Sequence, residues 1–105
     1  MKIIKEKFIG GWFIGNFEPT AFLTKEFEVC YKIHKKNEKW PPHYHKMATE
    51  INYLMKGRMI IQGKELISGD VFIIDAGEIA NPIFLEKCEL IVVKIPSVIN
   101  DKYNV

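Results

Sequence analysis

The stretch "WPPHYHKMATEINYLMKG", residues 40–57, contains two of the three histidines in the chain. His43 and His45 are one residue apart, so in an extended segment both imidazoles lie on the same face and can reach one point. The two prolines before them fix the backbone φ angle and favour extended conformations on the approach. The stretch therefore predicts a short strand that presents two imidazoles together.

Glu50 follows His45 by five positions, which is the wrong parity for the same face of an unbroken strand. A bend at "KMAT" would let Glu50 begin a new antiparallel strand and aim its carboxylate at the same point. Two imidazoles and one carboxylate suit iron(II), and they also accept manganese, nickel or zinc while leaving positions open for water or substrate. On spacing alone, solvated surface histidines and an ordinary carboxylate at a strand start remain an alternative.

Short apolar runs bounded by Gly, Pro, Asn or Asp predict about eight strands and little helix. Residues 26–33 alternate, with an apolar face and a face that carries Cys30 and charged groups. The runs on either side of Gly57 and the turns at Gly63 and Gly69 predict successive antiparallel pairings, and "DVFIIDAG" predicts a short buried strand. "CELIVVKIP" predicts a last long strand, and the polar tail "NDKYNV" is expected on the surface. An all-β sandwich or barrel follows, with an immunoglobulin-like sandwich or an OB-fold left open.

Length and charge limit the function classes. With 105 residues, a net charge of +2 and scattered lysines, the chain is expected to form one domain, residues 1–105, that does not bind nucleic acid. Charges interrupt the apolar amino-terminal segment, so we expect no signal peptide and no membrane span. Cys30 and Cys88 lack a CxxC pattern and are expected to be reduced thiols in a cytoplasmic protein.

The motif at His43, His45, Glu50 and Gly57 resembles the first motif of the cupin superfamily, specifically its small single-domain members. Gly69 and Gly77, in "GDVFIIDAGEIANPIF", stand at the separation of the second cupin motif, and the likeness covers roughly residues 26–95. The resemblance implies a jelly-roll β-barrel of two antiparallel sheets. It also implies a divalent-metal site at the barrel mouth, lined by the two histidines and the glutamate.

The second motif departs from the cupin pattern at three positions. Asp75 replaces the usual proline, Phe84 replaces the usual asparagine, and Ala80 replaces the last metal-binding histidine. Three ligands can still hold a metal, but the loss of an imidazole is expected to weaken binding. Asn81 has the opposite side-chain parity in a regular strand and is not expected to substitute for the missing ligand.

Several further residues bear on the site and on assembly. His34 lies on the charged face of its strand and is expected to be solvated. Trp40 is a candidate for the pocket mouth, but a tryptophan in the core or at a dimer contact is an equal alternative. Along the Glu50 strand, the apolar stripe formed by Ile51, Tyr53 and Met55 needs a cover, either the amino-terminal strand or a second subunit. Resemblance to dimeric cupins favours a homodimer.

Two functions remain from the sequence. One is a metal-dependent enzyme of the dioxygenase or isomerase type, acting on a small polar molecule. The other is a non-catalytic module that binds a sugar or a carboxylate without a metal. Cupins support many chemistries on one scaffold, so the fold does not decide between catalysis and binding.

Overall fold

Eleven β-strands and one 3₁₀ turn make up the regular structure in the computed structural model, which describes all 105 residues. The predicted all-β class is confirmed, although the strands outnumber the eight expected because several contain only two or three residues. The 3₁₀ turn covers Ile9–Gly11. In chain order the strands are β1 (Trp12–Gly15), β2 (Phe22–Leu23), β3 (Glu28–His34), β4 (His43–His45), β5 (Thr49–Lys56), β6 (Arg58–Ile61), β7 (Lys64–Ile67), β8 (Val71–Ile74), β9 (Ile83–Phe84), β10 (Cys88–Ile95) and β11 (Lys102–Asn104).

The strands form three sheets that surround the core. The largest has six strands in the order β2, β1, β3, β10, β5, β8, and β10 lies antiparallel between β3 and β5. A three-stranded sheet contains β7, β6 and β9, and a two-stranded ribbon pairs β11 with β4. An antiparallel bridge between His43 and Ala80 joins the ribbon to the segment that leads into β9. This arrangement agrees with the expected jelly roll.

Gly57 marks the point where the chain leaves the large sheet. β5 pairs with β10 and β8, whereas β6 pairs with β7 and β9. The prediction that the runs on either side of Gly57 pair with each other is therefore wrong, and the hairpin is formed by β6 and β7. Gly57 has a φ of +102°, and a Cβ at this position would lie 2.4 Å from the carbonyl oxygen of Lys87. Only glycine fits this crossing without displacing the backbone.

The polar face of β3 is the buried one. Glu28, Cys30 and His34 are buried, while Ile33 on the opposite face is 51% exposed. The prediction that His34 is solvated is wrong: its side chain is buried and its ring stacks on Phe84, with 4.2 Å between ring centroids. The reason is that β3 turns its polar side chains into a cavity between the sheets.

Two other segments also differ from expectation. β8 lies at the edge of the large sheet, so it is buried on one face only and leaves Val71 and Ile73 exposed. The tail lies on the surface as expected, with Lys102 and Asn104 exposed, but residues 102–104 also form a strand, β11, against β4. Asp101, just before β11, is buried and binds the backbone of the turn after β4.

The core lies between the large sheet and the smaller ones. Its buried apolar side chains come from both layers: Cys30, Leu54, Met59, Ile61, Ile74, Ala80, Phe84, Cys88, Leu90 and Val92. The two cysteines are free thiols, in agreement with the sequence prediction. The structure contains no helix with the length and hydrophobicity required to cross a lipid bilayer.

Candidate functional site

A cavity of about 170 Å³ opens between the sheets, on the buried face of β3, β5 and β10. Side chains from nine of the eleven strands line it. They include all three candidate ligands, all three histidines of the chain and both of its tryptophans. The polar and charged lining residues are Lys32, His34, His43, His45, Glu50, Asn52, Lys94 and Lys102.

β4 brings the two candidate histidines together as the sequence predicts. His43 and His45 are both buried, point into the cavity, and have ring centroids 5.6 Å apart. The Nδ1–H of His43 donates a hydrogen bond to the carbonyl oxygen of Pro41 at 3.2 Å, which leaves its Nε2 with a free lone pair. The rigid approach through Pro41 thus also orients the first imidazole.

Both imidazoles are held in the neutral form at pH 7. Burial, and to a smaller extent the positive charge of Lys94, lower the pKa of His45 to about 4, although the negative charge of Glu50 acts in the opposite direction. Burial also lowers the pKa of His43, against a raising effect of its hydrogen bond to Pro41. Neutral imidazoles have the lone pairs that metal coordination or hydrogen-bond acceptance requires.

Glu50 enters the same cavity from the start of β5. The chain bends after His45, as predicted, and the Glu50 carboxylate lies 3.8 Å from Nδ1 of His45. The bend is fixed by the carboxylate of Asp101, which accepts hydrogen bonds from three consecutive backbone N–H groups, those of Lys46, Met47 and Ala48. The structure therefore brings His43, His45 and Glu50 into one pocket, where the sequence places them.

The donor chemistry of these three residues fits a divalent metal, but their side chains do not form a ready-made coordination site. No group of three or more His, Cys, Asp or Glu side chains in the structure is arranged to hold a metal ion. Glu50 faces Nδ1 of His45, whereas the nitrogen of His45 that lacks a partner is Nε2. The ligand set stays a prediction.

Two buried polar atoms in this pocket have no hydrogen-bond partner. They are Nε2 of His45 and Nδ2 of Asn52, and both residues are more than nine-tenths buried. Buried polar atoms in folded proteins are nearly always satisfied, because leaving one unpaired costs about 1–3 kcal/mol. Both atoms are therefore available to pair with a polar group that enters the cavity.

Three lysines surround the cavity, and sequence reasoning did not assign them to it. Lys94 and Lys32 lie 4.7 and 5.7 Å from the ring centroid of Trp12, and Lys102 lies 4.2 Å from that of Trp40. Lys94 shares the inward parity of its strand with Cys88, Leu90 and Val92, and that alternation was the only available signal in the sequence. Lys102 could not be placed, because its position depends on the pairing of β11 with β4.

A carboxylate outside the lining, that of Glu38, contacts two of the side chains that line the cavity. The Glu38 carboxylate contacts Nδ1 of His34 at 2.5 Å and accepts a hydrogen bond from Nε1 of Trp40 at 2.6 Å. Burial raises the pKa of Glu38, but the hydrogen bonds from His34 and Trp40 outweigh it and lower the pKa to about 2. Glu38 therefore stays ionised and holds Trp40 at the pocket, which places this tryptophan in the lining.

Ala80 lies at the position where the second cupin motif has its last metal-binding histidine. It is buried, lines the cavity, and pairs with His43 through two backbone hydrogen bonds of 3.0 and 2.7 Å. Directly opposed residues of an antiparallel pair project to the same side, so the methyl group of Ala80 lies beside the His43 imidazole. Asn81 is exposed and accepts a hydrogen bond from the backbone of Gln62, in agreement with its exclusion from the ligand set.

Comparison with known proteins defines the class of fold. No family profile and no curated protein matches the chain. An uncharacterised protein with a double-stranded β-helix domain from Klebsiella pneumoniae has a similar structure, with a TM-score of 0.69 and 17% identity over 78% of this chain and 72% of that one. A cupin-2 domain protein from Shewanella frigidimarina gives 0.57 and 16%, over 69% of this chain and 72% of that one.

An oxalate oxidase in complex with the substrate analogue glycolate also shares the fold. Its TM-score is 0.64 and its identity 20%, over 76% of this chain and 46% of that one. At these identities the comparisons concern architecture, and the chain is a small domain with the cupin fold. The cupin fold that the two sequence motifs imply is thereby confirmed.

Proposed function

We propose that the protein binds a small polar molecule in this cavity, and that His43, His45 and Glu50 are the residues that would hold a divalent transition metal beside it. The observation that carries the proposal is the pair of unpartnered buried atoms, His45 Nε2 and Asn52 Nδ2, in one cavity. A polar ligand that contacts both atoms removes the cost of leaving them unpaired. Its binding would therefore be favourable even without a large apolar contact.

The chain's own residues prepare the imidazoles for a metal. The hydrogen bond to Pro41 directs the lone pair of His43 away from the backbone, and burial keeps both histidines neutral. The set of two imidazoles and a carboxylate suits iron, manganese, nickel or zinc. When bound, such a metal supplies a Lewis acid that polarises an oxygen atom of the ligand.

A second candidate function is non-catalytic binding of a sugar or carboxylate without a metal. The placement of Lys32, Lys94 and Lys102 around the cavity favours it, because nearby positive charges oppose a cation and attract an acidic ligand. Catalysis of the dioxygenase or isomerase type belongs to the metal-dependent alternative, and the fold is compatible with either. A cytoplasmic location, supported by the two free thiols, is part of the same proposal.

Metal binding is tested by titration of the metal-free protein. Purified protein, treated with a chelating resin, is titrated with Zn²⁺ and Mn²⁺ by isothermal calorimetry, and bound metal is counted by elemental analysis. We expect one site per chain, and the double variant His43→Ala/His45→Ala should bind roughly a hundredfold more weakly while circular dichroism shows a folded protein. Tyr44→Phe is the matched control, since Tyr44 lies between the two histidines on β4 but stacks on Tyr103 outside the cavity.

The two parts of the proposal fail separately. If neither metal binds, or if the double variant binds metal as the wild type does, the metal site is rejected. The pocket is tested independently with Asn52→Leu, which replaces the unpartnered amide by an apolar side chain of similar size. If a polar small molecule binds the wild type and Asn52→Leu equally well, its binding site lies outside this cavity.

A further inference from the structure

The cavity carries an excess of positive charge that neither the metal ligands nor the fold requires. We propose that its ligand is an anion, a small molecule with a carboxylate or phosphate group, and that Lys32, Lys94 and Lys102 bind that group. This inference rests on the proposed small-molecule pocket, but it does not depend on a metal.

Lys94 is held in position at the cavity by a buried network. Its side chain is only 17% exposed, and its Nζ lies 3.8 Å from a carboxylate oxygen of Glu28. Glu28 also accepts a hydrogen bond of 2.8 Å from the hydroxyl of Ser97, which in turn accepts one of 2.9 Å from the backbone N–H of Asn16. A lysine anchored in this way offers its remaining donors to the cavity at little cost in side-chain entropy.

Lys102 approaches the cavity from the opposite wall. It pairs directly with His45 in the ribbon of β11 and β4, and its ammonium lies over the ring of Trp40. Burial lowers the pKa of Lys102, and the positive charges of Lys94 and Lys32 lower it further. The three ammonium groups therefore repel one another across the cavity, and an anion between them would relieve that repulsion.

The count of charges supports an anionic ligand. Three of the residues that line the cavity carry an ammonium group, whereas only one, Glu50, carries a carboxylate. Glu28 and Glu38 are outside the lining and contact Lys94 and His34. The unpartnered Nδ2 of Asn52 is a further donor that needs an acceptor. Ammonium and amide N–H groups are the donors that bind carboxylate and phosphate oxygens.

The size of the cavity limits the ligand further. Its volume of about 170 Å³ is below the roughly 300–1,000 Å³ of pockets that hold drug-sized molecules. The lining combines the charged residues with the apolar side chains of Met59, Ile61, Phe72 and Ile74. A compact organic acid or a small phosphate ester, with a short apolar or hydroxylated body, matches this lining.

The tryptophans provide a test that needs no knowledge of the natural ligand. The chain has 2 tryptophans, Trp12 and Trp40, both partly exposed and both lining the cavity beside a lysine, so all tryptophan fluorescence reports on this site. Quenching by iodide, at constant ionic strength, depends on the exposure of the tryptophans and on the local attraction for an anion. Quenching by neutral acrylamide depends on their exposure alone. The ratio of the two quenching constants should fall about twofold in Lys94→Met/Lys102→Met, because the local attraction for iodide is lost.

Lys46→Met is the matched control. Lys46 also lies over an aromatic ring, that of Tyr103, at 4.4 Å, but on the outer side of the same ribbon. Its removal changes the net charge of the protein by the same amount per residue and should leave the quenching ratio unchanged. An equal ratio in the wild type and in the Lys94 and Lys102 double variant would overturn the proposal.

Binding of defined small anions gives the second measurement. Glycolate and inorganic phosphate are titrated calorimetrically into metal-free protein, with glycolamide as the uncharged counterpart of glycolate. We expect glycolate or phosphate to bind at least about tenfold more tightly than glycolamide, and this preference to disappear in Lys94→Met or Lys102→Met. Preference for glycolate alone identifies a carboxylate site, and preference for phosphate alone a phosphate site.

The remaining outcomes separate this inference from the function on which it rests. Equal binding of glycolate and glycolamide, lost in Asn52→Leu, would keep the small-molecule pocket and reject an anionic ligand. Failure of both anions to bind would also reject it. Anion binding that is the same with and without added Zn²⁺ supports the lysine site even if the metal site fails.

Discussion

At the scale of single residues, Ala80 is the position that bears most directly on the proposed metal site. Its side chain projects beside the His43 imidazole, at the position where the cupin motif has a histidine. Replacing it by histidine adds a third imidazole to the same wall of the cavity, where there is open volume to receive it. The substitution therefore tests whether the remaining ligands are arranged for a metal.

We predict that Ala80→His tightens Zn²⁺ binding by roughly tenfold or more, because one more protein ligand replaces water in the coordination sphere. Calorimetric titration of the metal-free variant measures this change. Ala76→His is the control, since Ala76 is exposed in the turn at Gly77 and adds the same side chain outside the cavity. An unchanged affinity in a folded Ala80→His variant would contradict a metal site formed by His43, His45 and Glu50.

At the scale of elements, the carboxyl-terminal strand holds the site together. β11 pairs with β4 and brings Lys102 to the cavity, and Asp101 immediately before it fixes the turn between β4 and β5. That turn is what places His45 and Glu50 on the same cavity. The strand is therefore a structural part of the site, although its sequence looks like a polar tail.

We predict that Asp101→Asn lowers the free energy of unfolding by about 1–3 kcal/mol, because an NH₂ group replaces one of the oxygens that accept the turn's N–H groups. Urea denaturation measures the loss. Asp70→Asn is the control, as this carboxylate accepts a single hydrogen bond, from the N–H of Ile67, in an exposed turn. Equal effects of the two substitutions would show that the turn after β4 does not depend on Asp101.

The pH dependence of stability should change in the same variant. Burial raises the pKa of Asp101, but hydrogen bonds from Ala48, Met47 and Lys46 outweigh it, so the pKa lies below its ordinary value of 3.8. A carboxyl group with a lowered pKa stabilises the folded state above about pH 4, and this contribution is lost as the pH falls through the folded-state pKa. Between pH 4 and pH 2 the free energy of unfolding should therefore fall less in Asp101→Asn than in the wild type. Urea denaturation at both pH values measures this difference.

The elements also show what the sequence could and could not predict. The bend after His45 and the inward direction of Glu50 and Asn52 follow from local spacing and the cupin motif. The motif also places a glycine at position 57, but local spacing suggested a hairpin there and not a crossing between sheets. The alternation of β3 reveals two faces but not which one is buried, and here the polar face lines the cavity. Lys102 could not be foreseen, because its position depends on the long-range pairing of β11 with β4.

At the scale of the whole molecule, the outer face of the large sheet is the most conspicuous uncovered surface. Its exposed apolar side chains come from four neighbouring strands: Ile33, Tyr53, Met55, Val71, Ile73 and Ile95. The amino-terminal strand does not cover this face, because β1 extends the same sheet beside β3. Of the two covers considered from the sequence, a second subunit is the one that the topology leaves available.

We propose that two copies of the chain pack through this face, since exposed apolar areas of this kind on small proteins usually mark interfaces. The wild type should sediment as a dimer at micromolar concentration, and Ile73→Lys should shift it to a monomer, because the ammonium group would be buried without a partner. Ile67→Lys is the matched control: Ile67 is 56% exposed and Ile73 57%, but Ile67 lies on β7 of the smaller sheet. A wild-type monomer, or a dimer that both substitutions leave intact, would show that this face has another role. Because the cavity lies on the opposite face of the same sheet, the monomeric variant should keep its anion preference.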